Sequence, residues 1–379
     1  MLIDIIKNKI ILQSKSKSIW STFKNSYLRN TNLKRFWKNL DKKNLDNEII
    51  SVTEKFIFSE SYKWVSRFWR RLLINHFKTI KEKGIDSGIA DIIKSDYSGF
   101  VFLDDKSIEH SIEKIENNYI DKIQIFKKHE LLSIKDSISY NLILVMLYEH
   151  IKSRKIFEIC KKININFYKK YCPILKINNL DLNQHLLISI LEVEKILEIL
   201  NTIENKIILE IGSGYGRTAN AILSITKNVK YIIADIPIAA YISYKNLKSE
   251  YPTKNISFCY DCNSTADLEN AIKNNDVIFI LPHQLNFFKN KIFNLTIAIG
   301  CLMEMEKKDV KRYMNLINTL SKSLYFKVWE NSGLPNSFYQ IYRSNVQKDF
   351  FIKDNWEKKF GTRCIAPSNF IDLGFIIND

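Results

Sequence analysis

Residues Lys206 to Leu223 read KIILEIGSGYGRTANAIL. The stretch opens on an apolar run holding one carboxylate, Glu210, and passes through Gly212, Gly214 and Gly216 into a helical pattern. That order predicts a β-strand, a tight turn and an α-helix. Glycine accepts positive φ and lets another group approach the backbone closely. The free N–H groups at the start of the next helix favour an anionic partner. The chain has only ten glycines, so three within five residues mark a place where a side chain would obstruct something. The expectation is a cofactor cradle at the carboxyl edge of a parallel sheet, where open α/β sheets hold their ligands.

The sequence on either side of the turn fits that expectation. From about residue 205, short apolar runs (KIILEI, KYIIAD, ISFCY, DVIFIL, LTIAIG, SLYFKVW) alternate with helix-like segments over 217–225, 237–248, 265–274 and 306–320. Strand, helix, strand at this spacing predicts a parallel sheet with crossover helices. The tail, WEKKFGTRCIAPSNFIDLGFII, supplies a closing antiparallel pair. Residues 1–200 are poor in Gly and Pro and read as helices. YKWVSRFWRRLLINHFKTI places Trp64, Phe68, Leu72 and Phe77 at near-helical spacing with Arg67, Arg70 and Arg71 between them. LDLNQHLLISILEVEKILEIL reads as a long helix capped near Asn183. The predicted organisation is an α-helical N-terminal lobe, 1–200, followed by an α/β domain, 201–379, with a Rossmann-like sheet and helices on both faces.

A dinucleotide site requires G-x-G-x-x-G, and the sixth position counted from Gly212 is Arg217. The pattern here is E-x-G-x-G-x-G. It resembles the first motif of class I S-adenosylmethionine-dependent methyltransferases, with Glu210, Gly212, Gly214 and Gly216 matching residue for residue. The resemblance implies that the glycine loop packs against the methionine part of the cofactor. It also implies a carboxylate at the end of the next strand, binding the ribose hydroxyls. Asp235 closes KYIIAD, 19 residues after Gly216, and a carboxylate can accept two hydroxyl hydrogen bonds at once. A narrower resemblance, over roughly residues 180–335, is to the sugar O-methyltransferases of bacterial surface-polysaccharide gene clusters. It is carried by EIGSGYGRTA, YIIADIPIAAYISYKNL, IGCLMEMEKKDVKRYMNLI and SLYFKVWENS. The cofactor contacts implied are Glu210, Gly212, Ser213, Gly214, Tyr215, Gly216, Arg217, Asp235 and Ile236, with Pro282, Gln284 and Cys301 further along the same edge. Arg217 steadies the cofactor carboxylate or caps the loop.

In methyl transfer the cofactor supplies the hard chemistry and the protein supplies alignment and desolvation. A sugar hydroxyl is a weak acid, so a nearby base helps by about 10²–10⁴-fold. Two residues at strand ends are candidates, Glu304 after LTIAIGCLM and His283 in ILPHQL, and Glu304 is preferred. The adenine contact depends on which run is the third core strand. It is Asp261 if ISFCY fills that place, and Pro282, His283 and Gln284 if DVIFIL does; the second is favoured. No paired acidic residues follow the fourth strand, and Cys259-x-x-Cys262 has no second pair nearby, so no metal is expected.

Composition is that of a folded protein, 46% hydrophobic and 26% charged over 379 residues. No run of about 18 apolar residues predicts a membrane span. The first twenty residues, broken by Asp4, Lys7 and Lys9, lack the basic, apolar, small order of a secretory leader. Six scattered cysteines suit the cytosol. The net charge of +16 is uneven, with 19 Lys/Arg against 7 Asp/Glu in residues 1–83. That basic segment reads first as a solvated helical surface, and alternatively as a contact for an anionic glycan, a membrane surface or an acidic partner; the expected location is the cytoplasm, with a membrane-peripheral position as the alternative. The charge also admits an RNA methyltransferase. The place where exocyclic-amine methyltransferases carry an Asn/Asp-Pro-Pro-aromatic box reads GCLMEM, however, and no Pro-Cys nucleophile is present. A nucleic-acid partner is therefore not expected. The other alternative is a non-catalytic scaffold. The expected acceptor is a sugar, nucleotide-sugar or glycan hydroxyl.

Overall fold

The computed structural model describes residues 11–12, 32–97, 101–103, 108–109, 122–130, 132–330 and 350–379. Most of residues 1–31, and with them much of the basic segment, lie outside the described residues.

The principal helices of the first 200 residues are α1 (Leu33–Asn39), α2 (Asn47–Phe58), α3 (Ser61–Trp64), α4 (Arg67–Lys83), α5 (Ile85–Ile92), α6 (Ile134–Lys152) and α7 (Gln184–Leu200). The aromatic stretch around Trp64 is two helices, not one. Val65 turns to extended backbone, and the Ser66 side chain caps α4 by accepting the Trp69 N–H at 3.4 Å. Asn183 caps α7, its side chain accepting the Leu186 N–H at 2.9 Å. The lobe is not wholly helical. Leu175–Ile177 and Leu180–Leu182 form a hairpin around Asn178 and Asn179, whose φ values are 47° and 65°. Two positive-φ residues in a two-residue turn match the twist of the strands they join, and asparagine tolerates that conformation.

The second half carries an eight-stranded sheet: β1 (Lys206–Ile211), β2 (Val229–Ala234), β3 (Ile256–Phe258), β4 (Val277–Ile280), β5 (Leu295–Ile299), β6 (Ser323–Trp329), β7 (Trp356–Arg363) and β8 (Phe370–Ile377). Across the sheet the order is β7-β8-β6-β5-β1-β2-β4-β3. The strands from β6 to β3 in that order pair in parallel, and β8 enters antiparallel between β6 and β7. The crossover helices are α8 (Arg217–Ile225), α9 (Pro237–Glu250), α10 (Thr265–Asn274) and α11 (Lys307–Leu320). This is a Rossmann-like α/β fold. Val277–Ile280 lies directly beside β2, and Ile256–Phe258 is the edge strand outside it.

Successive strand residues face opposite ways, and both faces are buried. Ile208, Tyr231, Ile233, Ile297 and Tyr325 join one apolar cluster; Leu209, Ile232, Ala234, Ala298 and Phe326 join another. Burial on both faces is what a parallel sheet with crossovers requires. The first cluster runs on into Ile49, Phe77, Leu144 and Ile190 of the lobe. The change of texture near residue 200 is therefore not a gap between two cores. Helix α7 packs on α8, β6 and β8, and α2 packs on α9. The chain departs from β1 toward β3 and then returns to β5 on the other side of β1. The turn after β1 thus sits where strand order reverses, the crevice position of doubly wound sheets.

Candidate active site

The three glycines have φ values of +75°, +59° and +90° at Gly212, Gly214 and Gly216, so each uses freedom other residues lack. They make room for different things. A Cβ on Gly212 would lie 2.5 Å from the Cβ of Cys301, whose thiol donates to the Ile211 carbonyl at 2.8 Å. A Cβ on Gly216 would press on Ser243 at 3.2 Å and Leu247 at 3.4 Å, both on α9. These two glycines seat the loop against the protein. Gly214 differs: the first atom its Cβ would meet, at 3.3 Å, is on the ring of Tyr97, from the first 200 residues.

Asp235, at the end of β2, faces the same turn. Its Oδ2 accepts the Ser213 N–H at 2.8 Å and the Ser213 hydroxyl at 3.2 Å; its Oδ1 accepts the Ile236 N–H at 2.7 Å. Burial pushes the carboxyl up to about 6, against the pull of the Ile236, Ser213 and Gly214 N–H groups. Oδ1 keeps capacity for a ligand hydroxyl, because each carboxylate oxygen accepts about two bonds. Glu210 lies deeper, 2% exposed, and its Oε2 accepts the Tyr231 hydroxyl at 2.9 Å. Burial raises it to about 7, outweighing the Tyr231 hydrogen bond and the Arg217 charge.

Glu304 ends the 3₁₀ turn Leu302–Glu304 after β5 and meets the lobe. Burial pushes its carboxyl up to about 8; a hydrogen bond from Trp69 of α4 pulls it down, and the Asp96 charge pushes it up further. His283 also touches the lobe: its N–H donates to Ser61 Oγ at 2.8 Å, and its Nδ1 lies 2.8 Å from the same oxygen. Ser61 Oγ thus meets both the backbone and the ring of His283, and the ring tautomer sets which of the two donates in the Ser61–Nδ1 bond. Burial lowers the His283 pKa.

Several expected contacts are committed elsewhere. The Arg217 guanidinium turns to α7. It pairs with Glu192 of α7, Nη1 to Oε2 at 2.7 Å and Nη2 to Oε1 at 3.1 Å, and donates to Ser189 Oγ at 2.8 Å. The physical reason is that a buried cation demands a buried anion, and Glu192 is 1% exposed. Tyr215 likewise turns to α7, its hydroxyl 2.7 Å from His185 Nδ1. Gln284 is fully buried and uses its whole amide on backbone, donating to the Cys259 and Cys262 carbonyls at 2.8 Å each and accepting the Leu281 N–H at 2.7 Å. It ties the Pro282–Phe287 turn to the end of β3. Pro282 is buried beside it. Asp261 pairs on the surface with Lys55 at 2.6 Å.

The Arg217–Glu192 pair extends into a network that motif reasoning missed. Lys327 Nζ donates to Glu192 Oε1 at 2.9 Å and lies 3.6 Å from Asp372 Oδ1, which also accepts the Tyr325 hydroxyl at 2.7 Å. Lys327 and Asp372 are register partners on β6 and β8. Their signal was present: a lysine inside LYFKVW and an aspartate inside FIDLGF are charges in apolar strands, which need partners. Glu192 takes the opposite shift to Glu210. Burial raises it, yet Arg217 and Lys327 together hold it below the usual range. Tyr97, Trp69 and Ser61 were also missed, and nothing in the sequence distinguishes them from ordinary helix residues.

No protein-family model matches the chain, and no curated protein matches it. Solved structures to which part of the chain is similar include two methyltransferases. One is geranyl diphosphate C-methyltransferase from Streptomyces coelicolor, solved with S-adenosylhomocysteine: 9% identity, TM-score 0.34, over 50% of this chain and 76% of that one. Another is magnesium protoporphyrin IX methyltransferase from Synechocystis, with bound S-adenosylhomocysteine: 8% identity, TM-score 0.37, over 61% of this chain and 97% of that one.

Proposed function

We propose that the protein is an S-adenosylmethionine-dependent O-methyltransferase acting on a sugar hydroxyl of a bacterial surface polysaccharide or its nucleotide-linked precursor. The observation that carries the cofactor is a contrast of charge. Asp235 and Glu304 line the carboxyl edge, and no lysine or arginine of the described residues pairs with either. Burying carboxyls without a cation is costly, and a cationic ligand relieves it. When bound, this cofactor supplies a methyl group on a positively charged sulfonium sulfur. Asp235 Oδ1 holds a ribose hydroxyl, and bare Gly214 lets the ligand lie against the backbone. Five described cysteines are free thiols, which supports a reducing cytoplasm. The acceptor class rests on the motif resemblance.

Glu304 is the base in this reading, because it ends the turn after β5 at the carboxyl edge and its carboxyl is raised toward neutral pH. A carboxyl near 8 is a strong enough base to take a hydroxyl proton, and a cation beside it brings its pKa down so that it is ionised when needed. The lobe closes the acceptor side, through Ser61 on His283 and Trp69 on Glu304, and excludes water. The test is calorimetric titration with S-adenosylhomocysteine of the wild type, Asp235→Ala and Gly214→Val, followed by transfer of labelled methyl to a panel of nucleotide sugars and glycans. Micromolar binding, lost in both folded variants, and label on a sugar support the reading. A folded wild type that does not bind leaves a scaffold in its place; label only on RNA overturns the acceptor.

A further inference from the structure

Tyr97 closes the π-helical turn Ile93–Tyr97 that continues α5. Its ring lies against the glycine turn, 3.3 Å from where a Gly214 Cβ would stand. Its hydroxyl oxygen is buried and has no hydrogen-bond partner among the described residues. Its ionisation is opposed first by burial and then by the charges of Asp235, Asp96 and Glu304. His76 stands beside the ring, 6.0 Å between centroids, with Nε2 on Asp96 Oδ2 at 2.5 Å. His76 and Asp96 therefore hold each other and leave the phenol unserved.

Buried hydroxyls have partners in nearly all folded proteins, and each exception calls for an explanation. Here the position gives one. The ring lies against bare Gly214, whose turn is held by the Asp235 carboxyl through Ser213, so the unpartnered hydroxyl stands beside the place a ligand of the glycine turn would occupy. We propose that Tyr97 is a cofactor contact donated by the N-terminal lobe: its hydroxyl hydrogen-bonds a polar atom of the ribose–methionyl part of the ligand, and binding pins residues 93–97 onto the turn. This rests on the methyltransferase reading and adds to it a residue from outside the α/β domain.

The test uses the full chain and S-adenosylhomocysteine. Wild type, Tyr97→Phe and Tyr97→Ala are titrated by calorimetry, and their ligand-free melting temperatures are measured. Tyr97→Phe should weaken binding about three- to tenfold, one hydrogen bond's worth, with no fall in the ligand-free melting temperature, because the lost hydroxyl had no protein partner. Tyr97→Ala should weaken it further and abolish the ligand-dependent protection of amides 93–97 in hydrogen exchange. Unchanged affinity in Tyr97→Phe overturns the inference and leaves the methyltransferase reading standing. A lower ligand-free melting temperature in Tyr97→Phe also overturns it, since the hydroxyl would then have a partner within the protein. Absence of binding by the wild type overturns both.

Discussion

Two carboxylates flank the glycine turn at similar depth and are treated in opposite ways. Glu192 is 1% exposed and Glu210 is 2% exposed. Glu192 is gripped by Arg217 and Lys327 and is held below the usual carboxylate range despite its burial. Glu210 receives a tyrosine hydroxyl and rises to about 7; Asp235 and Glu304, nearer the crevice, rise to about 6 and about 8. One side of the turn is electrically closed and the other is left open. A closed set holds a lobe to a sheet. An open set of acids, two buried and Glu304 half-buried, is poised for a cation.

The largest effect that could break this comparison is on the closed side. Glu192→Ala leaves Arg217 without its anion and Lys327 with Asp372 alone, at 3.6 Å, and removing one partner of such a buried group costs about 3–5 kcal/mol. Denaturant midpoints should show it. Glu304→Gln is the matched change on the open side. A carboxyl near 8 is protonated at neutral pH, and glutamine mimics that form, so stability should hold. Methyl transfer should instead fall about 10²–10⁴-fold. Equal losses of stability in the two variants would mean that the two sides are not different in kind.

How much of this contrast can be read from the sequence follows the same divide. The strand ends, the glycine turn and Asp235 are local: each follows from period, turn chemistry or spacing in one short stretch. The placement of Val277–Ile280 beside β2 also follows, from the fit of the two runs after it. Arg217 and Gln284 mislead because their motif neighbours are loop residues, while their own side chains are claimed by Glu192, 25 positions earlier, and by two carbonyls near Cys259. Pairings across the fold are fixed by the buried charge they must cancel, and no local pattern announces them. The Asn178–Asn179 hairpin is missed in a stretch read as helices, because two three-residue strands in a helical background carry too little period to stand out. Tyr97 is silent in sequence because its role comes from the lobe's position on the turn.

A smaller effect sharpens the open side. If a cation completes the set, S-adenosylmethionine and S-adenosylhomocysteine should differ in their pH dependence. They share amino, carboxyl and ribose groups and differ in the sulfur charge. Below about pH 8, binding the cation should draw a proton off Glu304, so affinity for S-adenosylmethionine should climb with pH by up to about tenfold per unit while one proton is released. Titrations from pH 6.5 to 8.5, in buffers of different ionisation enthalpy, read both quantities. Parallel curves for the two ligands, or a difference that persists in Glu304→Gln, would show that this carboxyl does not sense the charge.

The smallest effect isolates Glu210. Its carboxyl binds a proton more tightly folded, at about 7, than at its ordinary value of 4.5. Between those values the folded state holds the proton and the unfolded state does not, so the slope of stability against pH is negative. The stabilisation is fully present below 4.5, is lost as pH rises through 7, and does not return above it. Glu210→Gln keeps an acceptor for the Tyr231 hydroxyl and removes the titration. Its melting temperature should therefore decline less than the wild type's between pH 5 and pH 8, and the two should approach each other at the acid end. Glu192→Gln should not follow this rule, since its carboxyl shifts the other way. A wild type whose stability does not fall over that range would place a cation beside Glu210 already, and the turn would then be closed on both sides.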